Sequence, residues 1–148
     1  MKITKLFCLF FLLPLFFNAQ DLKEKIFISA GYTYFNRSFA DVGVKYLIDE
    51  KAITLGANTL IGFSNNKLFI IPEVNFTKYF NSDDFPFPFA RISISTKTVT
   101  PQFGISMLFM DFGVGYGISL GEATNYNTQG FRAQVNFNIP LKFKIKLY

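Results

Sequence analysis

The sequence predicts an all-β fold of eight antiparallel strands in up-and-down order, and three observations predict it. Apolar residues recur with a period of two along nearly the whole chain, and no stretch holds a convincing 3.6-residue period. Clusters of Asn, Asp, Ser, Gly and Pro separate the alternating runs at regular intervals. The 148 residues suffice for one domain. With 50% apolar residues the chain is not a disordered one, and 17% charged residues is low for a surface facing bulk water throughout.

The alternation starts only after a different kind of segment. Met1 to Lys5 is basic, Leu6 to Phe17 is apolar, and Asn18-Ala19-Gln20 gives a small residue before a polar one. That pattern predicts a secretory signal peptide over 1–19 with cleavage after Ala19, because a membrane-spanning helix needs roughly 18 or more apolar residues. The domain expected after cleavage is 20–148. Cys8, the only cysteine, leaves with the signal, so stability must come from packing and backbone pairing without a disulfide. Lys2 and Lys5 leave as well, and the remaining 13 basic residues face ten acidic ones. Such a mild excess, clustered only at the C-terminus, gives no reason to expect nucleic acid as a partner.

The eight runs follow in order. The first sets Ile26, Ile28, Ala30, Tyr32 and Tyr34 against Ser29, Gly31 and Thr33; the second sets Ala40, Val42, Val44, Tyr46 and Ile48 against Asp41, Gly43 and Lys45. The third runs from Ile53 to Phe63 around Thr54, Gly56, Asn58 and Gly62, and the fourth from Leu68 to Phe76 around Glu73, Asn75 and Thr77. Ala90, Ile92 and Ile94 alternate with Arg91, Ser93 and Ser95, and Phe103, Ile105 and Met107 with Gln102, Gly104 and Ser106. The seventh places Phe112, Val114, Tyr116, Ile118 and Leu120 opposite Gly113, Gly115, Gly117 and Ser119; the eighth places Phe131, Ala133, Val135, Phe137 and Ile139 opposite Arg132, Gln134, Asn136 and Asn138. Pro72, Pro86 and Pro88 remove ladder donors, so the bounds of the fourth and fifth runs are the least defined. An even number of hairpin-linked strands can close on itself and remove both edges.

Period alone does not say which face is inside. The polar face is rich in Gly, Ser, Thr, Asn and Gln rather than in Lys and Glu, and glycine at this density suits a narrow interior better than a solvated exterior. The apolar face carries Tyr34, Tyr46, Phe63, Phe76 and Phe131 toward the run ends, where interfacial aromatic girdles would lie. The expected product is a transmembrane β-barrel with its Ile/Val/Phe face in lipid. The runner-up is a secreted or periplasmic soluble, lipocalin-like barrel that turns that face inward around an apolar ligand.

Signal, eight runs and two-faced alternation together resemble small eight-stranded bacterial outer-membrane β-barrel proteins. Pro88-Phe89-Ala90-Arg91, Thr96 to Pro101 and Phe112-Gly113-Val114-Gly115-Tyr116-Gly117 look like the later strands of barrels of the Bacteroidota, and Asn18-Ala19-Gln20 is similar to that group's signal endings. The resemblance implies a place in the cell outer membrane, with membrane lipid and the barrel-assembly machinery as partners and a monomeric state. One departure is the last run, whose phase carries on through Leu141, Phe143, Ile145 and Leu147 and leaves Tyr148 on the face of Lys142, Lys144 and Lys146. Either Pro140 ends the strand and a basic tail follows, or the strand continues beyond the bilayer.

The chemistry available is narrow. With no His there is no imidazole base or ligand, and no cofactor, metal site or enzymatic activity is expected. Asp41 and Glu73 share the inward face and leave a two-carboxylate mechanism formally open. Pairing with Lys45, Arg91 and Arg132 explains them better, because unpaired buried charge is costly. These five residues are expected to form a polar network that closes the interior to free diffusion, giving a protein with a structural or surface-interaction role. Of the connections at the end opposite the termini, only Gly121 to Gly130 is long enough to meet a partner, with Glu122, Asn125, Tyr126 and Asn127 as candidate contacts.

Overall fold

The computed structural model describes residues 25–49, 52–64, 67–80, 86–107, 109–121 and 129–141. Eight strands form: β1 Ile26–Phe35, β2 Ser38–Asp49, β3 Ile53–Ser64, β4 Lys67–Tyr79, β5 Phe87–Ser95, β6 Thr98–Met107, β7 Met110–Ser119 and β8 Gly130–Pro140. Each pairs antiparallel with its neighbours in sequence, and β1 pairs with β8, so the sheet closes into an up-and-down barrel with no free edge. The expected signal segment 1–19 and the contacts proposed for Glu122, Asn125, Tyr126 and Asn127 lie outside the described residues, as does the chain from Lys142 onward.

The barrel has a terminal end, where β1 begins and β8 stops and where β2–β3, β4–β5 and β6–β7 connect, and a far end with the other four connections. At the far end β1 turns into β2 through Asn36, whose φ of 57° places it in the left-handed region that Asn tolerates better than most residues. Its amide nitrogen donates to the Gln129 carbonyl at 2.5 Å and ties this tight turn to the start of β8. Gly130 begins that strand at φ 126°, a backbone position that disfavours any side chain.

The prolines sit where the ladder tolerates them. Pro72 pairs with Thr59 on β3, and the ladder from β4 to β5 begins one residue later, at Glu73 and Ser95. Pro101 pairs with Ile92 of β5, while the pairing of β6 with β7 passes from Val99–Ile118 to Gln102–Gly115 in unchanged register, skipping Thr100 and Pro101. The gap in pairing coincides with the missing proline donor. The unbroken pairing with β5 carries β6 back through Pro101 to Thr98, four residues before the alternation becomes legible at Gln102.

All strands place their polar series inward. Ser29, Thr33, Asp41, Lys45, Asn58, Glu73, Asn75, Thr77, Arg91, Gln102, Asp111, Arg132, Gln134 and Asn136 are buried, while Ile28, Val42, Val44, Val74, Ile94, Val114 and Ile118 are exposed on the outer wall. The interior is not wholly polar. Phe35, Phe39, Leu60 and Ile71 form a buried apolar cluster toward the far end, with Gly62 leaving room for the Phe39 ring. Sequence reading assigned Leu60 and Ile71 to no face; their phase with Asn58 and Glu73 was the available signal.

Candidate functional site

The buried polar side chains cluster around three carboxylates. Asp111, just inside the terminal end on β7, is the one that meets two cations: its Oδ2 accepts from Lys45 Nζ at 2.8 Å, Arg91 Nη2 at 2.7 Å and the Tyr79 hydroxyl at 3.0 Å. The donors come from β2, β5 and β4, so this one oxygen links strands across the interior. Arg91 is further fixed by its Nε donating to Thr77 Oγ1 at 2.8 Å and by lying over the Phe89 ring, 4.7 Å from its centroid. Phe89 itself fits because Gly104 and Gly113 face it: a Cβ at Gly104 would come within 2.5 Å of its ring.

Glu73 meets Arg132 in a two-pronged pair, Nη1 to Oε1 at 2.8 Å and Nη2 to Oε2 at 2.9 Å. The planar guanidinium matches the carboxylate and occupies both its oxygens. Asp41 differs. Its Oδ1 accepts from Asn58 Nδ2 at 2.7 Å and its Oδ2 from Gln134 Nε2 at 2.5 Å, Asn136 Nδ2 at 3.2 Å and Thr33 Oγ1 at 3.4 Å. Asn75 extends the chain by donating to Asn58 Oδ1 at 2.7 Å. Among the described residues Asp41 has no cationic partner within ion-pair distance. The expectation that Asp41 pairs with an inward Lys or Arg therefore needs correction: neutral amides solvate it, because Asp111, absent from that expectation, holds both Lys45 and Arg91.

The structure thus brings Lys45, Arg91, Glu73 and Arg132 into ion pairs, sets Asp41 in a cage of amides, and adds Asp111 as the residue missed. Asp111 stands one step before the seventh run as read from the sequence, in phase with Gly113, Gly115 and Gly117. Extending the alternation back by two residues would have placed it inside. Among the described residues three inward acids balance three inward bases, so the interior is formally neutral.

The outer wall is the converse. Among the strand residues whose side chains are described, Lys67, the first residue of β4, and Lys78, near the other end of the same strand, are the only exposed charged ones. Tyr34, Phe63 and Phe131 stand exposed near the far end, and Phe76, Phe80 and Phe109 near the terminal end. Lys78 reaches over the Phe80 ring, with its Nζ 5.6 Å from the centroid.

Fold and interior together define a closed eight-stranded antiparallel up-and-down β-barrel with a charged, hydrogen-bonded interior and an apolar exterior. Comparison with protein-family models, with curated proteins and with solved structures finds no match for this chain.

Proposed function

We propose that this protein is a small integral protein of the bacterial outer membrane with a structural or surface-interaction role, its interior closed to solutes by side chains. The observation that carries the reading is the outer wall, apolar across all eight strands and, among the described side chains of the strands, charged only near the ends of β4. A contiguous apolar surface of this extent exceeds what a monomer exposes to water and suits lipid. Strands of 9–13 residues fit the same solvent: ten residues at about 3.3 Å each, tilted by about 40°, rise roughly 25 Å, the height of an outer-membrane apolar band. The signal pattern at 1–19 supports export, and an even strand count puts the start of β1 and the end of β8 on one side, expected to be the periplasm.

A soluble barrel around an apolar ligand is supported less well, since it needs the Ile/Val/Phe face inside, where this chain carries ion pairs and amides. Eight strands leave an interior only wide enough for side chains, and the bridges of Asp111 and Glu73 cross it, which supports a closed lumen rather than a pore. Neither Asp41 nor Glu73 presents a free carboxylate oxygen for proton transfer, so no catalytic role is assigned. The test is extraction of isolated envelopes followed by unheated and boiled electrophoresis. Retention through salt and carbonate washes, with a heat-dependent change in migration, is expected; release into the wash, with no heat-dependent change, would overturn the reading.

A further inference from the structure

The outer wall is not uniformly convex. A groove of about 430 Å³ crosses it from β6 over β7 and β8 to β1. Two neighbouring rows of outward side chains flank it, and the backbone of Gly104 and Gly113 lies between them. One row runs Ile105–Phe112–Val135–Tyr32 across the four strands, the other Phe103–Val114–Ala133. Phe112, Ala133 and Val135 are only half-exposed, whereas Phe103 on β6 and Tyr32 on β1 stand exposed at the two ends. The groove also has a direction. Ile105 lies seven residues from the far end of β6, Val135 five from that of β8 and Tyr32 three from that of β1, so the groove climbs toward the far rim as it nears β1. At its upper end the Tyr32 hydroxyl meets Ser38 Oγ at 2.8 Å, and Ser38 adjoins the exposed Arg37 of the β1–β2 turn.

Two independent features point to the kind of occupant. The groove is almost wholly apolar, and its volume, within the roughly 300–1,000 Å³ of small-molecule sites, suits a hydrocarbon chain. Its upper end is cationic. Arg37 has no ion-pair partner among the described residues, and no described acid is exposed at the far rim. The four far connections and the strand residues that bound them carry Arg37, Lys67 and Lys97 against Glu122 alone. Inside this half of the barrel Glu73 cancels Arg132, and Asp41 keeps its charge. Three cations therefore face two anions, and Asp41 is sealed within while Arg37 is outside. A two-fold dimer fits the groove less well, since it would set the groove against its own copy, and two concave faces enclose a void.

We propose that this groove holds one lipid with an anionic phosphate head, its acyl chain lying along the groove and its phosphate accepting from Arg37 and the Tyr32 hydroxyl. The inference rests on the membrane reading above and adds to it a preferred place and a preferred lipid charge.

The test uses quenching of a single tryptophan by brominated lipid, which is clean because the chain has no native Trp. Phe103→Trp reports on the groove, and Val74→Trp on the outer wall of β4, across the barrel from β8. Each protein is placed in phosphatidylcholine vesicles doped with brominated phosphatidylglycerol or, at equal mole fraction, brominated phosphatidylcholine. At Phe103→Trp the anionic lipid is expected to be preferred about fivefold, the gain that one Arg near a lipid surface supplies, and at Val74→Trp the two lipids should quench alike. Arg37→Gln should remove the preference. Ala133→Leu, which fills the groove and leaves Arg37 in place, should lower it to about twofold, whereas a cationic rim acting without a groove would keep it. Equal quenching by both lipids at Phe103→Trp, the same preference at Val74→Trp, or a preference untouched by either substitution would overturn the proposal and leave the membrane reading standing. Shielding of Phe103→Trp from both lipids while Val74→Trp is quenched would overturn it in favour of a second copy on the groove. No quenching at either position would refute the membrane reading, and the lipid site with it.

Discussion

Removing the Asp111 carboxylate should damage this barrel more than removing any other inward charge, and the structure sets the order of the losses. Asp111→Asn leaves Lys45 and Arg91, 2.8 and 2.7 Å from the vanished charge, without a counter-ion and moves the described interior from neutrality to a net positive charge. Breaking a buried pair by deleting one partner costs roughly 3–5 kcal/mol, and two cations depend on this one carboxylate. A loss of about 5 kcal/mol is therefore expected. Glu73→Gln strands a single guanidinium and should cost about 3 kcal/mol, whereas the double change Glu73→Gln with Arg132→Met should regain much of that by removing the orphaned charge as well. Asp41→Asn strands no cation; it disturbs only neutral donors and should cost about 1–3 kcal/mol. Equilibrium unfolding in urea, read by the fraction that keeps the migration of the unheated folded form, orders the three. An Asp111→Asn protein within about 1 kcal/mol of wild type, or an Asp41→Asn protein as damaged as Asp111→Asn, would refute the reasoning and indicate that water inside the barrel screens these charges.

Three further outcomes are expected. Val114→Arg sets a charge on the exposed outer wall and should destabilise the barrel in lipid vesicles by roughly 2–4 kcal/mol, measured by the same urea titration. Gly31→Ala should cost about 1–3 kcal/mol, because its Cβ would collide with the Val135 carbonyl across the β1–β8 seam, while Gly121→Ala, whose Cβ would meet nothing within 4 Å among the described residues, should be neutral by the same measurement. Protein inserted into planar bilayers should give no stable conductance steps, and regular steps would contradict a closed interior.

Most of the architecture was legible in the sequence, because a barrel with one wet and one dry face imposes the two-residue period at every position. All eight strands lie where the alternation places them, and Ser29, Asn58, Gln134 and their polar neighbours point inward as their phase requires. The misses have physical causes. Pro101 interrupts pairing on one side only, so β6 runs back through it to Thr98, ahead of the alternation that starts at Gln102. Leu60, Ile71, Phe35 and Phe39 are apolar residues on a polar face, and a rule that equates apolar with outward has no place for them. The pairing of charges was out of reach, since it depends on shear between strands distant in sequence, as in the separation of 66 residues between Lys45 and Asp111. A groove that runs from Ile105 on β6 to Tyr32 on β1 leaves no local trace in the sequence either.

The most direct test of the central account, an apolar wall in lipid around a polar interior, is spin-label accessibility in vesicles at Val44 and Val114. The only native cysteine is Cys8, in the segment expected to be cleaved, so single cysteines at these two positions can be labelled cleanly. Both labels are expected to collide readily with oxygen, which concentrates in hydrocarbon, and rarely with a water-soluble nickel chelate. Free collision of the chelate with both labels would contradict the account and place the Ile/Val/Phe face in water.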